Sequence, residues 1–339
     1  MVMQGAIRAL VDGDGISPDA AAAAMETIMN GEATPGQVGA FLVAMRQHGE
    51  TAEVIAACLR VMQAHAEPVP VHDVVDLCGT GGDGADTFNV STAAGFVVAA
   101  SGVRVAKHGN RAASSKCGSA DLLEAMGARL DLTGAQAARV IEDCGFCFIF
   151  AQRFHPAMRH VGAVRREIGI RTVFNIIGPL SNPANPRAQL VGVGTKALGP
   201  LVAQVLALRG IPRAMVVHSA DGLDEISPMG SSTAWLVDKG VVTERILRPT
   251  DFGVPEHPLK AVAGGDAAQN KATLISVMNG EKTPVADFVV MNAAAALHVA
   301  GAATDFKTGT MIARQAIDTG RARQVMEQYI ALTNEVAGA

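Results

Sequence analysis

A strand-like apolar run that leads into a glycine-rich turn constrains the fold of this chain more than any other feature. Residues 74–78 are mostly apolar, and the sequence GTGGDG follows them directly. Asn89, Ser91 and Thr92 then open an alanine-rich segment with the composition of a helix. Glycines let other groups approach the backbone closely, and the first N–H groups of a helix have no partner within it. The order therefore predicts a strand, an anion-binding loop and a helix, with phosphate as the expected ligand.

The glycine-rich turn alone is weak evidence for a phosphate site. It has neither the spacing of a dinucleotide-binding turn nor the lysine and hydroxyl of a P-loop, so a plain strand-to-helix connection is the alternative. Asp83 within the turn would repel a bare phosphate. The acid fits such a site if a divalent metal accompanies the phosphate, or if a sugar hydroxyl donates to the carboxylate.

A second polar segment, residues 107–119, follows the next predicted strand. Its cations, amide and hydroxyls include Lys107, His108, Asn110, Arg111, Ser114, Ser115 and Ser119. A solvated surface loop would also be polar. A binding site is favoured because open α/β sheets bind their ligands at the carboxyl ends of parallel strands. Together with the glycine-rich turn, this cationic loop predicts a ligand with more than one phosphate.

Adjacent carboxylates, Asp224 and Glu225, follow a further predicted strand in the sequence HSADGLDEIS. Solvated acid pairs are common, so the pair alone carries little weight. Hard oxygen ligands beside phosphates are the usual setting for Mg²⁺, which keeps several waters and bridges protein and substrate. The pair is therefore a candidate magnesium site.

Residues 153–183 form a basic segment after a helix start at Pro156. Its arginines include Arg159, Arg165, Arg166 and Arg171. The alternative is a solvated basic helix face. An arginine that reached a binding site would suit a planar carboxylate, because its fork matches that group in two parallel hydrogen bonds. No Ser-His-Asp triad and no cysteine nucleophile can be assigned, so no catalytic side chain is predicted.

The rest of the pattern predicts two structural units. Before residue 70, helices with capping residues and closing glycines or prolines are predicted at 19–30, 36–48 and 52–66. After residue 71, helices alternate with strands at 74–78, 103–106, 146–150, 189–193 and 213–218. A hairpin at 233–247 and further helices complete the chain. This alternation predicts an α/β fold with a mainly parallel sheet beside a small helical unit.

Composition argues against several classes of protein. The formal net charge is −4 and aromatic residues make up 4% of the 339 residues, so no nucleic-acid-binding surface is expected. No basic-then-apolar N-terminal signal and no apolar run of about 18 residues occurs, which argues against export and against a membrane partner. The five cysteines, an odd number, are expected to be reduced thiols of a cytoplasmic protein.

These segments together closely resemble the anthranilate phosphoribosyltransferases, which join anthranilate to 5-phosphoribosyl-1-pyrophosphate (PRPP) and release pyrophosphate. The resemblance covers nearly the whole chain and is densest at GTGGD, NVST, KHGNR with SSKCGSAD, HPAMRHVGAVRREIG, NIIGPLSNP and DGLDEIS. It implies a small helical domain, residues 1–70 joined by a segment near 165–185, and a larger α/β domain, residues 71–339. It also implies a site in the cleft between them, Mg²⁺ as cofactor, a homodimer and a place in tryptophan biosynthesis.

The resemblance assigns site residues position by position. Those that match PRPP contacts are Gly79, Gly82, Asp83, Thr87, Asn89, Ser91, Thr92, Lys107 and Ser119. Those that match metal ligands are Ser91, Asp224 and Glu225. Those that match anthranilate contacts are Gly79, His108, Asn110 and Arg165. Gln152 and Ser219 stand where the family pattern has Pro and Gly, so the local loop shape is expected to differ there.

Two other functions fit parts of this pattern. A pyrimidine nucleoside phosphorylase has a similar helical plus α/β architecture and a glycine-rich phosphate loop, but it binds inorganic phosphate, so KHGNR and the acid pair disfavour it. A non-catalytic relative that binds nucleic acid on a basic groove is disfavoured by the acidic net charge. Salt-dependent binding of nucleic acid would identify the latter.

Overall fold

The computed structural model describes residues 1–112 and 115–338; Ser114 of the predicted cationic loop lies outside them. The strands are β1 Val75–Gly79, β2 Val105–Gly109, β3 Phe146–Phe150, β4 Ala188–Gly192, β5 Arg213–Ser219, β6 Ser232–Asp238 and β7 Val241–Leu247. The α-helices are α1 Val2–Val11, α2 Pro18–Met29, α3 Pro35–His48, α4 Ala52–Ala64, α5 Val90–Ala100, α6 Ser119–Ala125, α7 Gly134–Cys144, α8 Ala151–Phe154, α9 Arg159–Ile168, α10 Val173–Leu180, α11 Leu198–Leu208, α12 Ala267–Met278, α13 Pro284–Val299, α14 Phe306–Asp318 and α15 Arg321–Gly338.

All seven strands form one sheet in the order β3-β2-β1-β4-β5-β6-β7. The first five strands are parallel, and β6 and β7 extend the sheet as an antiparallel hairpin. The predicted mainly parallel sheet and its hairpin are confirmed. Because the chain leaves β1 toward β2 and leaves β4 toward β5, the strand order reverses between β1 and β4. Open α/β sheets bind ligands at such a switch point, outside the carboxyl ends of the strands.

Two apolar clusters cover the two faces of the sheet. On one face, α5, α13 and α15 bury side chains such as Phe96, Phe146 and Tyr329. On the other face, α11 packs on the sheet around Trp235. The same apolar cluster includes side chains of the helical unit. The helical unit therefore lies over only one face of the sheet, and one edge of this unit is beside the switch point.

The helical unit consists of α1 to α4 together with α9 and α10. Its cluster joins Phe41 and Leu42 of α3 to Val161 and Val164 of α9 and Phe174 of α10. The predicted starts of α2, α3 and α4 are confirmed, because Ser17, Thr34 and Thr51 each accept a hydrogen bond from the first turn of their helix. Helix α1 was not predicted, since Met1 provides no side-chain cap.

The cysteines agree with the expectation of reduced thiols. All five cysteines are buried free thiols. Within residues 1–112 and 115–338, no helix is both long enough and apolar enough to cross a membrane.

Candidate active site

The glycine-rich loop after β1 has a backbone that only glycine adopts easily. Gly81, Gly82 and Gly84 have φ angles of 63°, 79° and 69°. Successive residues of this kind leave backbone N–H groups pointing into a concave surface that suits an anion. Thr80 fixes the start of the loop, because its N–H donates to the Gly192 carbonyl at 2.9 Å and its hydroxyl accepts from Gly194 N at 3.0 Å. The loop therefore lies between the ends of β1 and β4, at the switch point.

Asp224, in the loop after β5, contacts this glycine-rich loop directly. Its Oδ2 accepts a hydrogen bond from Gly81 N at 2.7 Å. A Cβ added at Gly79 would overlap the Asp224 carboxylate, and a Cβ added at Gly192 would overlap the Asp224 backbone. Glycine at the ends of β1 and β4 thus lets the acidic loop approach the switch point.

Lys107 and His108 correct the prediction that the loop after the second strand begins at residue 107. Both residues are in β2 and buried, with 2% and 4% of their surfaces exposed, because β2 extends to Gly109 in register with β3. Lys107 Nζ donates to the Leu77 carbonyl at 2.6 Å and to Ser91 Oγ at 3.2 Å. Arg111 is exposed, but Glu124 and Asp121 pair with its guanidinium. Lys107 and His108 are therefore buried at the site and Arg111 is paired with acids, so these three cations do not form one solvated patch.

The start of α5 joins the loop after β2 through polar side chains. Asn89 Nδ2 donates to the Cys117 carbonyl at 2.9 Å, and Asn270 Nδ2 donates to Asn89 Oδ1 at 2.8 Å. Thr92 Oγ1 donates to Ser119 Oγ at 3.0 Å. Thr87 forms an isolated antiparallel bridge with Ala263 just before this point. These contacts bring the hydroxyls and amides of two separate predicted segments together beside the glycine-rich loop.

Acidic side chains gather beside Ser91. Burial, with repulsion from Asp83, raises the pKa of Asp224. Burial, with repulsion from Asp224, raises the pKa of Glu225 well above its usual value, although a hydrogen bond from Ser91 opposes the shift. No group of three His, Cys, Asp or Glu side chains is already arranged to hold a metal ion within the described part of the chain. Closely spaced hard oxygens whose charges repel each other are nevertheless the donor set that Mg²⁺ prefers.

Two of the residues that match anthranilate contacts lie on different elements, one at the end of β2 and one on α9. Asn110, at the end of β2, accepts a hydrogen bond through Oδ1 from Gln152 Nε2 at 3.2 Å. Arg165, on α9 of the helical unit, is partly buried, and its Cζ lies 5.5 Å from the centre of the Phe174 ring. No hydrogen bond or ion pair joins the Arg165 guanidinium to another residue of 1–112 or 115–338. Its donors therefore remain available for a substrate.

His108 has a buried nitrogen without a partner. Its backbone N–H donates to Asp76 Oδ1 at 3.0 Å, while Nε2 has no hydrogen bond among the described residues. Burial lowers the pKa of His108 well below its usual value, and His155, whose ring lies 5.1 Å away, adds to the effect. The imidazole is therefore neutral at pH 7.

The contacts of three residues at the site were not predicted from the sequence. Asp76, inside the apolar run of β1, is buried and accepts from Gln189 Nε2 at 3.2 Å as well as from His108 N. Arg171, between α9 and α10, donates through Nη1 to the Gly81 carbonyl at 3.0 Å. Ser219, one of the two departures from the family pattern, is fully buried and bonds to Ser232 Oγ at 2.8 Å. The acid within an apolar strand was the one available signal, since a buried charge needs partners.

Two family models match the chain. The model described as "Glycosyl transferase family, a/b domain" matches residues 71–323, and the one described as "Glycosyl transferase family, helical bundle domain" matches residues 4–66. The first match covers the α/β unit together with α9 and α10, and the second covers the N-terminal helices of the helical unit.

Curated relatives and solved structures are similar over almost the full length. The anthranilate phosphoribosyltransferases of Thermomicrobium roseum and Herpetosiphon aurantiacus are each 48% identical over 98% of this chain, and the alignments cover 97% and 100% of those relatives. The crystal structure of the enzyme from Thermus thermophilus has a TM-score of 0.92 and 41% identity, covering 97% of this chain and 99% of that one. The Saccharomyces cerevisiae enzyme in complex with PRPP and Mg has a TM-score of 0.91 and 29% identity, covering 98% of both chains.

Proposed function

The chain belongs to the anthranilate phosphoribosyltransferase family, and from that premise we propose that it transfers the 5-phosphoribosyl group of PRPP to the amine of anthranilate. The products are N-(5-phosphoribosyl)anthranilate and pyrophosphate, so the enzyme is a pentosyl-transferring glycosyltransferase of tryptophan biosynthesis. The observation that carries this proposal is the meeting of the loops after β1 and β5 at the switch point, through the Gly81–Asp224 hydrogen bond of 2.7 Å. Similarity over nearly the whole chain favours this reaction over nucleoside phosphorolysis or nucleic-acid binding.

PRPP binds, in this proposal, across the glycine-rich loop and the start of α5. Its contacts are Gly79, Gly82, Asp83, Thr87, Asn89, Ser91, Thr92, Lys107 and Ser119. As the bond from the anomeric carbon to the pyrophosphate oxygen breaks, its electron pair goes to the departing pyrophosphate and the sugar becomes positive. Donors fixed at the leaving oxygens stabilise that charge without reorganising. The buried ammonium of Lys107 and the backbone N–H groups of the glycine-rich loop are such donors.

Ser91, Asp224 and Glu225 are the residues that would hold Mg²⁺. When bound, the metal neutralises the negative charge of the diphosphate. The raised pKa values of Asp224 and Glu225 support this role, since a bound cation would offset the repulsion that disfavours the charged forms of these carboxylates. The yeast relative in complex with PRPP and Mg is consistent with the same cofactor.

Anthranilate binds between the end of β2 and α9, at Gly79, His108, Asn110 and Arg165. The Arg165 fork suits the carboxylate, and holding that group orients the amine toward the anomeric carbon. The amine is itself the nucleophile: it forms the new C–N bond and loses a proton, so no nucleophilic side chain is needed. Neutral His108 adds no charge that would compete with Arg165 for the carboxylate.

The assembly and the domain division are also parts of the proposal. We place residues 1–70 and a segment near 165–185 in one domain, because α9 and α10 pack on α3 and α4. The rest of residues 71–339 forms the other domain. Val2, Val11 and Val43 of the helical unit are 48%, 69% and 43% exposed, which supports a homodimer through this unit. We also place the enzyme in the cytoplasm, where its five cysteines would stay reduced. Light scattering should give twice the chain mass of 34.9 kDa, and a monomer mass would reject the dimer.

Loss of anthranilate fluorescence tests the reaction itself. The full chain is mixed with anthranilate, PRPP and Mg²⁺, and each component is omitted in turn. The proposal predicts a decay that requires all three components and the protein. Decay without PRPP, or none in the complete mixture, would reject it, and release of base from a pyrimidine nucleoside with inorganic phosphate would identify the phosphorylase alternative.

A further inference from the structure

Arg171 joins the helical unit to the glycine-rich loop. The residue lies between α9 and α10, and its Nη1 donates to the Gly81 carbonyl at 3.0 Å. A Cβ added at Gly82 would overlap Nη1, so the guanidinium lies against the loop at a distance that only glycine allows. The contact spans 90 positions of sequence and crosses the cleft.

Gly81 is therefore held from both sides. Its N–H donates to Asp224 Oδ2 at 2.7 Å, from the α/β unit, and its carbonyl accepts from Arg171, from the helical unit. Since both Gly81 and Gly82 have positive φ, the direction of their N–H groups depends on how these two peptide units are fixed. A change at Arg171 would thus reach the part of the loop that faces an anion.

The second nitrogen of Arg171 has no partner. Nη2 is buried and makes no hydrogen bond among the described residues, and the neighbouring Thr172 Oγ1, on a residue that is 2% exposed, is also unpaired. Buried polar groups in folded proteins nearly always have partners, and an orphan needs an explanation such as a ligand or an ordered water. A guanidinium with one nitrogen on a carbonyl and the other free can still donate to an oxyanion.

We propose that Arg171 is a positioning residue for the diphosphate of the phosphoribosyl substrate. It sets the glycine-rich loop through the Gly81 carbonyl, and its Nη2 is completed by a diphosphate oxygen when the substrate fills the loop. This inference rests on the proposed function. Two arginines of the segment that contains α9 and α10 would then bind different groups. Arg165 would bind the carboxylate of anthranilate, and Arg171 would bind the diphosphate of PRPP.

Steady-state kinetics of Arg171→Gln and Arg171→Lys test this division. The matched control is Arg166→Gln, an exposed arginine on α9. Arg171→Gln should raise KM for PRPP about tenfold or more, as expected for the loss of a charge-assisted contact. The same variant should leave KM for anthranilate within about twofold and the thermal midpoint close to that of the control. Arg171→Lys should recover only part of the loss, because an ammonium lacks the fork.

Several outcomes would overturn the proposal. An unchanged KM for PRPP in Arg171→Gln, an equal rise in both KM values, or a loss confined to kcat would each remove Arg171 from the diphosphate site. Full recovery in Arg171→Lys would remove the role given to Nη2. Titration of Mg²⁺ and inorganic pyrophosphate into each variant provides a readout without turnover, and binding as tight as in the wild type would also contradict the assignment. Wild-type turnover measured in parallel tests the proposed function separately.

Discussion

The carboxylate of Asp224 accepts a hydrogen bond from the backbone N–H of Gly81 at 2.7 Å, although the two residues are 143 positions apart. The acid thus contacts a donor of the loop that we assign to the diphosphate. A carboxylate can occupy an anion-binding N–H in the absence of substrate, and a divalent cation would attract the same carboxylate. The two loops are therefore expected to act together.

Replacing both Asp224 and Glu225 by alanine should abolish Mg²⁺-dependent turnover. Metal stabilisation of transition-state charge is worth several kcal/mol, so we expect a loss of more than about a hundredfold. Initial rates are measured across a Mg²⁺ titration. Asp238→Ala, at an exposed position in the β6–β7 hairpin, is the control. Unchanged activity of the double variant would remove both residues from the metal site.

Arg165→Ala should impair the use of anthranilate far more than the use of PRPP. The variant loses the fork that we assign to the carboxylate, so KM for anthranilate should rise about tenfold or more while KM for PRPP changes little. Arg159→Ala, at an exposed position on the same helix, controls for the loss of positive charge. Equal losses for both substrates would contradict the role of Arg165.

Gly192→Ala should destabilise the protein through the Asp224 loop. The added Cβ would overlap the Asp224 backbone, and such overpacking typically lowers the free energy of unfolding by about 1–3 kcal/mol. Gly230→Ala is the control, because a Cβ at Gly230 meets no atom within 4 Å and should change stability by less than about 1 kcal/mol. Urea unfolding compares the free energies of unfolding of the two variants. Equal values would show that the Asp224 loop can accommodate a methyl group at position 192.

Buried His155 should make stability fall in acid. Burial lowers the pKa of His155 to about 4 from its ordinary 6.5. The unfolded chain therefore binds a proton that the folded chain excludes, so the contribution is complete above pH 6.5 and is lost as the pH falls toward 4. Asp76 acts in the opposite direction, because burial raises its pKa and protonation favours the folded chain.

Comparison of His155→Gln with the wild type isolates the histidine from the acids. The difference between their unfolding free energies should change by about 1.4 kcal/mol per pH unit between pH 6.5 and 4, which corresponds to one proton. Urea unfolding at several pH values measures it. Parallel pH curves for the two proteins would contradict the assignment of this slope to His155.

The sequence alone predicted the helices whose first turn is capped by a side chain. Ser17, Thr34 and Thr51 mark helix starts because each caps a helix with its own side chain. Helix α1 has no such cap and was missed. The sheet followed from the alternation of strands and helices, since a parallel neighbour requires a crossover of that length.

The arrangement within the site depended on contacts that sequence spacing does not encode. Lys107 looked like a loop residue because polar side chains surround it, yet pairing with β3 extends the strand past it and buries it. The contact of Arg171 with Gly81 depends on the packing of α9 and α10 against α3 and α4. Tertiary packing determines where Lys107 and Arg171 lie. No local sequence pattern distinguishes Arg171 from the exposed arginines of the same segment, Arg159 and Arg166.

The central claim is that the loops at the β1–β4 switch point bind PRPP while the helical unit orients anthranilate. Crystal structures of the protein with PRPP and Mg²⁺, and with anthranilate, test it most directly. The diphosphate should lie against Gly79 to Asp83, with the metal at Asp224 and Glu225, and the anthranilate carboxylate should lie within hydrogen-bond distance of Arg165. Either substrate bound outside this cleft would contradict the account.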